Sequence, residues 1–174
     1  MASVIYPTYP SPSLYTDIAQ SSGVGVNSEC TEQYQALKLK KSFKYIIYGL
    51  NSSNTEITVL KTSPSDSYDD FIADLPETEC RWVVYDLEYE TEGNHKANKV
   101  VFISWSPEYA KIKQKMLYAS AGDALRRELS GIAAQISATE YNEVAYEAGT
   151  LSIKQAGEEG SKGELGTSAF SHPP

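Results

Sequence analysis

RWVVYDLEYETEGNHKANKVVFISW, Arg81 to Trp105, reads as two strands, RWVVYDLEYE and KVVFISW, around the polar loop TEGNHKAN. β-branched and aromatic residues dominate both runs, and such side chains fit a pleated surface. Neither run alternates cleanly, because the centres WVVY and VVFI are continuous apolar stretches. A sheet with one wet face would alternate, so this pair predicts a sheet covered on both faces.

Toward the N-terminus, FKYIIYGL (43–50) and TEITVLKT (55–62) flank NSSN and predict a second hairpin. Between the hairpins, SYDDFIADLP predicts a short helix that stops before Pro76. Ahead of both, VNSECTEQYQALKLKK offers Asn27 or Ser28 as an N-cap, with Cys30, Tyr34 and Leu37 on one helical face. Toward the C-terminus, Ser106-Pro107-Glu108 predicts a helix start: a capping serine, proline at the first helical position, an acid in the first turn. That helix is expected to run to about Leu129, before Gly131. AAQISA (133–138) then predicts a last strand, and Thr139 begins a further helical piece.

The order is α-ββ-α-ββ-α-β-α, a single α/β (α+β) domain with a central mixed, mostly antiparallel sheet sandwiched by helices. Residues 1–21, with three prolines and one charge, predict a disordered N-terminal extension. Residues 22–154 form the expected domain. From Gln155 to 174 the composition turns Gly-, Glu- and Ser-rich, which predicts a disordered tail.

At 174 residues the chain suits one domain with a sizeable core. A net charge of −8 argues against a general nucleic-acid binder. The charge is uneven, though: Lys99 to Arg127 holds six basic and two acidic residues, +4 in a chain whose remainder is −12. A local basic surface on an acidic protein suits a specific acidic partner better than indiscriminate polyanion binding, and by charge alone a solvated helix face is the favoured reading. Cys30 and Cys80 stand in no metal or redox spacing and read as buried thiols of a reducing compartment. The first 25 residues lack a secretory signal pattern, and no stretch is long and apolar enough to span a membrane, so a cytoplasmic protein is expected; a monomer is the expected assembly.

Catalytic groups are sparse. His95 falls in the hairpin loop and His172 in the C-terminal tail, neither with an evident nucleophile or metal partner, and no metal or cofactor is expected. Asp86, Glu88 and Glu90 alternate along one strand and share a face, which suits either a hard cation or a solvated rim. The helix KMLYASAGDALRREL (115–129) says more. Lys113, Met116, Ser120, Asp123 and Arg127 fall at i, i+3, i+7, i+10 and i+14, one stripe, with Leu117 and Ala124 flanking it. Tyr118, Ala121 and Leu125 form a separate apolar stripe for the sheet. Such a helix, one side for the core and one carrying Met, small residues and cations, is built like a docking element.

SGVGV (22–26), YDLEYE (85–90), FISWSP (102–107) and KMLYASAGDALRREL (115–129) together resemble the actin-depolymerising factor/cofilin family, in its fungal form, from about Ser22 to Tyr146. The resemblance implies the ADF-homology fold and a non-enzymatic protein. It would bind actin monomers and filaments, preferring ADP-actin, and sever and depolymerise filaments at the actin cytoskeleton. It implies actin contacts at Ser22, Gly23, Val24, Lys113, Lys115, Met116, Ser120, Asp123, Arg126 and Arg127, and filament-specific contacts at Lys96 and Lys99. It makes Ser22 a candidate phosphorylation site, where a phosphate would add negative charge facing an acidic partner. Phosphoinositide headgroups are the implied competitor, at Lys113, Lys115, Arg126 and Arg127.

The chain departs from the family pattern in places. The family's SSKDA is SAGDA here, so Gly122 stands where a lysine is usual. The loop holds Ala97 between its lysines, and the last helix, YEAGTLSIKQ, has few charges. These departures predict weaker filament than monomer binding. They keep two alternatives open: a monomer-sequestering or filament-side-binding variant without severing, and a phosphoinositide-responsive adaptor without actin binding.

Overall fold

The apolar centres of the strand pair pack as their pattern requires, with a helical layer on each face. The computed structural model describes residues 23–91 and 94–162. In chain order these are β1 (Gly25–Val26), α1 (Ser28–Lys40), β2 (Tyr45–Leu50), β3 (Glu56–Ser63), α2 (Tyr68–Ala73), β4 (Arg81–Thr91), β5 (His95–Trp105), α3 (Ile112–Glu128), β6 (Ala134–Ala138), a 3-10 turn (Tyr141–Val144) and α4 (Tyr146–Lys162). The sheet order is β1-β3-β2-β4-β5-β6. The inner pairs are antiparallel, while β1 on β3 and β6 on β5 are parallel. The sheet is therefore mixed and mostly antiparallel, with helices on both faces.

Alternation along β2, β4 and β5 divides the core in two. Ile46, Tyr48, Trp82, Val84, Val100 and Phe102 point to the side of α1 and α3, where Cys30, Tyr34, Leu37, Tyr118, Ala121 and Leu125 meet them. Tyr45, Ile47, Val83, Tyr85, Val101 and Ile103 point to the other side, with Phe71 of α2, Val144 of the 3-10 turn and Ile153 of α4. Both cysteines are buried and unpaired. Asn27 caps α1 as expected, its side-chain oxygen accepting the Glu29 N–H at 2.9 Å.

Several expectations need correction. The Ser106-Pro107-Glu108 signal yields only one turn, closed by the Ala110 N–H on the Pro107 carbonyl at 3.0 Å. Lys111 is extended at φ −61°, ψ 136°, and α3 begins only at Ile112. A capping sequence initiates a turn equally well whether or not a helix follows, so the signal was real and its extent misread. The loop TEGNHKAN is mostly strand: β4 reaches Thr91 and β5 begins at His95, with Glu90 opposite Lys96. Polar residues on a solvated strand extension look like loop from composition alone. The two-residue β1 was not foreseen. At the C-terminal end α4 continues past Gln155 to Lys162, because an established helix propagates readily through residues that would not nucleate one. The expected N-terminal extension, Ser22, His172 and the residues after Lys162 lie outside the described residues.

Candidate functional site

α3 is held to the sheet by one side and leaves the other bare. Tyr118 is 6% exposed, and Ala121 and Leu125 are fully covered, as their spacing predicts. A fully buried leucine contributes about 1.5–3 kcal/mol, so this stripe anchors the helix. The Tyr118 ring stacks on Trp82, centroids 4.2 Å apart, and its hydroxyl accepts the Leu50 N–H at 3.0 Å. Burial pushes the Tyr118 phenol above its ordinary pKa, so it stays neutral in this setting. At the far end the Ser130 carbonyl accepts two bonds from α1, from the Tyr34 hydroxyl and the Lys38 ammonium, each 2.8 Å. Gly131, at φ 89°, then turns the chain into β6.

The outward stripe stands as the spacing predicts. Lys113, Met116, Ser120, Asp123, Arg126 and Arg127 are exposed, Met116 at 69%. Lys115 is half-buried, its ammonium donating to the Glu108 carbonyl at 3.0 Å. The Ser120 hydroxyl donates to the Leu117 carbonyl at 2.9 Å. The helix has no acid in its first turn and no side-chain cap, and its N-cap residue is Lys111. Cations at a helix N-terminus oppose the macrodipole, typically by 0.3–1 kcal/mol each. Lys111 and Lys113 therefore do not serve the helix, while Lys115 ties its first turn to the preceding one through the Glu108 carbonyl.

Two exposed apolar residues extend this face beyond the predicted set. Ile112, 77% exposed, lies one turn before Met116 on α3, and Tyr109, 79% exposed, stands in the turn ahead of the helix. Ile112 and Met116 at i, i+4 are a visible signal in the sequence. Beneath α3 runs a crevice of about 260 Å³, lined by Trp82, Tyr118 and Gly122, by Ser104 of β5 and by Gln135 and Ser137 of the edge strand β6.

The other candidates disperse. Gly23 is exposed at φ 64°, but Val24 is 3% exposed in the core beside α1 and α3, so it supports the N-terminal segment instead of presenting a side chain. Lys96 and Lys99 are exposed on β5, away from α3, and Lys96 is paired with Glu88 at 2.7 Å. The carboxylates of DLEYE do not act together. Asp86 is buried and bonded to Lys41 at 2.8 Å, while Glu88 is taken by Lys96. Among the described residues no group of three or more His, Cys, Asp or Glu is placed to hold a metal ion. No helix among them is long and apolar enough to cross a membrane.

Residues 23–150 match the family model described as cofilin/tropomyosin-type actin-binding protein. The cofilin of Mycosarcoma maydis is 57% identical over 127 residues, covering 73% of this chain and 91% of that protein. The cofilin of Saccharomyces cerevisiae is 46% identical, covering 72% and 89%. Among solved structures, Streptomyces griseoflavus cofilin superposes with a TM-score of 0.73 at 56% identity, over 76% of this chain and 98% of that one. Plasmodium berghei actin depolymerization factor 2 does so with a TM-score of 0.69 at 32% identity, over the same shares.

Proposed function

The chain belongs to the cofilin/actin-depolymerising-factor family of actin-binding proteins, and from that premise we propose that it engages actin through the outward face of α3. It is an actin-binding protein of the depolymerising type. The observation that carries the reading is the stripe from Lys113 to Arg127: cationic, with an exposed methionine near its N-terminal end, on a helix whose opposite side is locked into the core. Arginine pairs bidentately with carboxylates, and Met116 with Ile112 supplies apolar area that adapts to a partner. Binding energy at such interfaces is concentrated in a few central residues, and Arg126, Arg127 and Met116 are the candidates here. Gly23 at the end of the described N-terminal segment adds a backbone contact, and phosphate on Ser22 would repel an acidic partner there.

The finer behaviour follows from where the charges lie. Lys113, Lys115, Arg126 and Arg127 would also bind phosphoinositide headgroups, which then compete with actin for the same cations. Filament-specific contact falls to Lys96 and Lys99, and the pairing of Lys96 with Glu88 supports tighter monomer than filament binding. Severing, the preference for ADP-actin and work in the cytoplasm at the actin cytoskeleton complete the proposal.

Co-sedimentation with preformed actin filaments tests it, scoring bound protein and actin released to the supernatant. The wild-type chain is expected to bind and to raise soluble actin. The Arg126→Ala/Arg127→Ala variant, folded by circular dichroism, is expected to lose both by more than tenfold, since charged hot-spot residues are each worth ~2 kcal/mol or more. Equal activity of the two proteins would place the contact elsewhere.

A further inference from the structure

A glycine inside a helix is disfavoured, so Gly122, in the middle of α3, asks for a steric reason. The reason is directly beneath it. A Cβ at position 122 would lie 3.0 Å from Trp82 Nε1, and 3.8 Å from Cδ1 and Cε2 of the same ring. Burial and stacking resist the small shift of Trp82 that such a Cβ would require: the ring is 1% exposed and stacked on Tyr118. Close-packed interiors transmit such a clash instead of absorbing it.

We propose that Gly122 is a positioning residue for the actin-binding face: it lets the α3 backbone rest on the edge of the Trp82 indole and so sets the height of the helix over the sheet. Ser120, Asp123, Arg126 and Arg127 lie one to five residues from it, on the exposed side of the same helix. Any lift of α3 at position 122 therefore displaces the outward residues relative to the end of the helix that Tyr34 and Lys38 hold at Ser130. Gly122 also lines the mouth of the crevice beside Lys115 and Asp123, so a side chain there would narrow that opening. The residue touches no partner in this account and acts through Trp82. The pair Trp82–Gly122 is thus a coupled choice, in which the large indole is compatible with this helix position only while residue 122 has no side chain. The inference rests on the actin-binding reading above.

The test is a cycle of Gly122→Ala, Trp82→Phe and the double variant, with Trp82→Tyr held as the replacement should the phenylalanine variant not fold. Melting temperature and actin affinity are read for each, the affinity well below every melting temperature so that unfolding does not enter. At an open helix position alanine would raise the melting temperature. Here Gly122→Ala is expected to lower it and to weaken actin binding about tenfold, within the usual range for coupled neighbours. Adding Trp82→Phe, which removes the pyrrole edge, is expected to restore most of that affinity. A role confined to stability would lower the melting temperature and leave the affinity of the folded protein unchanged. Unchanged affinity, a raised melting temperature or no relief by Trp82→Phe each overturn the proposal. Failure of the wild-type chain to bind actin would overturn the functional reading, and this proposal with it, whereas normal wild-type binding with an indifferent Gly122→Ala overturns the positioning role alone.

Discussion

Asp86 has 4% of its surface exposed, and its Oδ1 has no hydrogen-bond partner among the described residues. Its other oxygen is held by Lys41, whose side chain is half exposed, and Asn98 approaches the same oxygen at 3.5 Å. An unpaired buried charge is expensive, so the Lys41 bond matters more than an ordinary surface pair. Lys41 also caps α1 at φ 53°, a left-handed conformation that glycine adopts more readily. Lys41→Ala is therefore expected to cost about 2 kcal/mol, less than a fully buried pair because water can reach the vacated site. Lys41→Gly should lose the same bond yet recover about 1 kcal/mol from the backbone. Urea unfolding of both variants decides it, and identical midpoints would remove the backbone part of the argument. Alternation in DLEYE correctly gave one face for Asp86, Glu88 and Glu90. It could not reveal that a lysine 45 positions away would claim the first of them, because that meeting depends on where α1 ends against the sheet.

At the scale of elements, the legible ones had a strong period and a chemical stop. Asn27 opening α1, Pro76 closing the α2 region and the apolar centres of β4 and β5 all combine local signals that agree with the fold. α3 was legible in its faces but not in its start, because Pro107 signals a turn whether or not a helix continues from it. β1 was not legible: two residues carry no period, and it exists by pairing with Glu56 and Ile57 of β3. The 3-10 turn after β6 is fixed by a carboxylate. Glu143 accepts the Thr139 N–H at 2.6 Å, the Thr139 hydroxyl at 2.9 Å and the Glu140 N–H at 3.1 Å. The Thr139 and Glu140 bonds hold the Glu143 carboxyl below its ordinary pKa of about 4.3. A carboxyl whose folded pKa is depressed stabilises the fold fully above its unfolded value, and that contribution fades as pH falls through the folded value. Glu143→Gln should therefore be less stable than wild type at neutral pH, with the gap closing below about pH 4. Thermal melts across that range check it, and a gap independent of pH would mean that the carboxylate charge is not what holds the turn.

Across the whole molecule, the two candidate contact regions sit at different places on the sheet and hold their cations differently. β6 pairs with Val101–Trp105 of β5, leaving His95–Val100 to extend with β4 as a hairpin beyond it. The α3 stripe lies over the opposite part of the strand, its arginines free of ion pairs among the described residues. On the hairpin, Lys96 is bound to Glu88, and the Glu88 carbonyl in turn accepts the Tyr146 hydroxyl of α4 at 2.6 Å. Of the two cations proposed to meet a filament, Lys96 is thus paired with a neighbour on its own hairpin while its side chain stays exposed. Breaking the pair at the acid should release Lys96 without touching α3. Glu88→Gln keeps the size of the side chain and leaves the Tyr146 bond, which uses the backbone. The variant is expected to bind filaments several-fold more tightly at low salt, with monomer affinity unchanged and the gain shrinking as salt rises and screens the exposed lysine. Parallel filament co-sedimentation and monomer titrations measure both. A gain in both assays would mean that the hairpin and α3 belong to one contact surface, and no gain in either would remove Lys96 from the filament site.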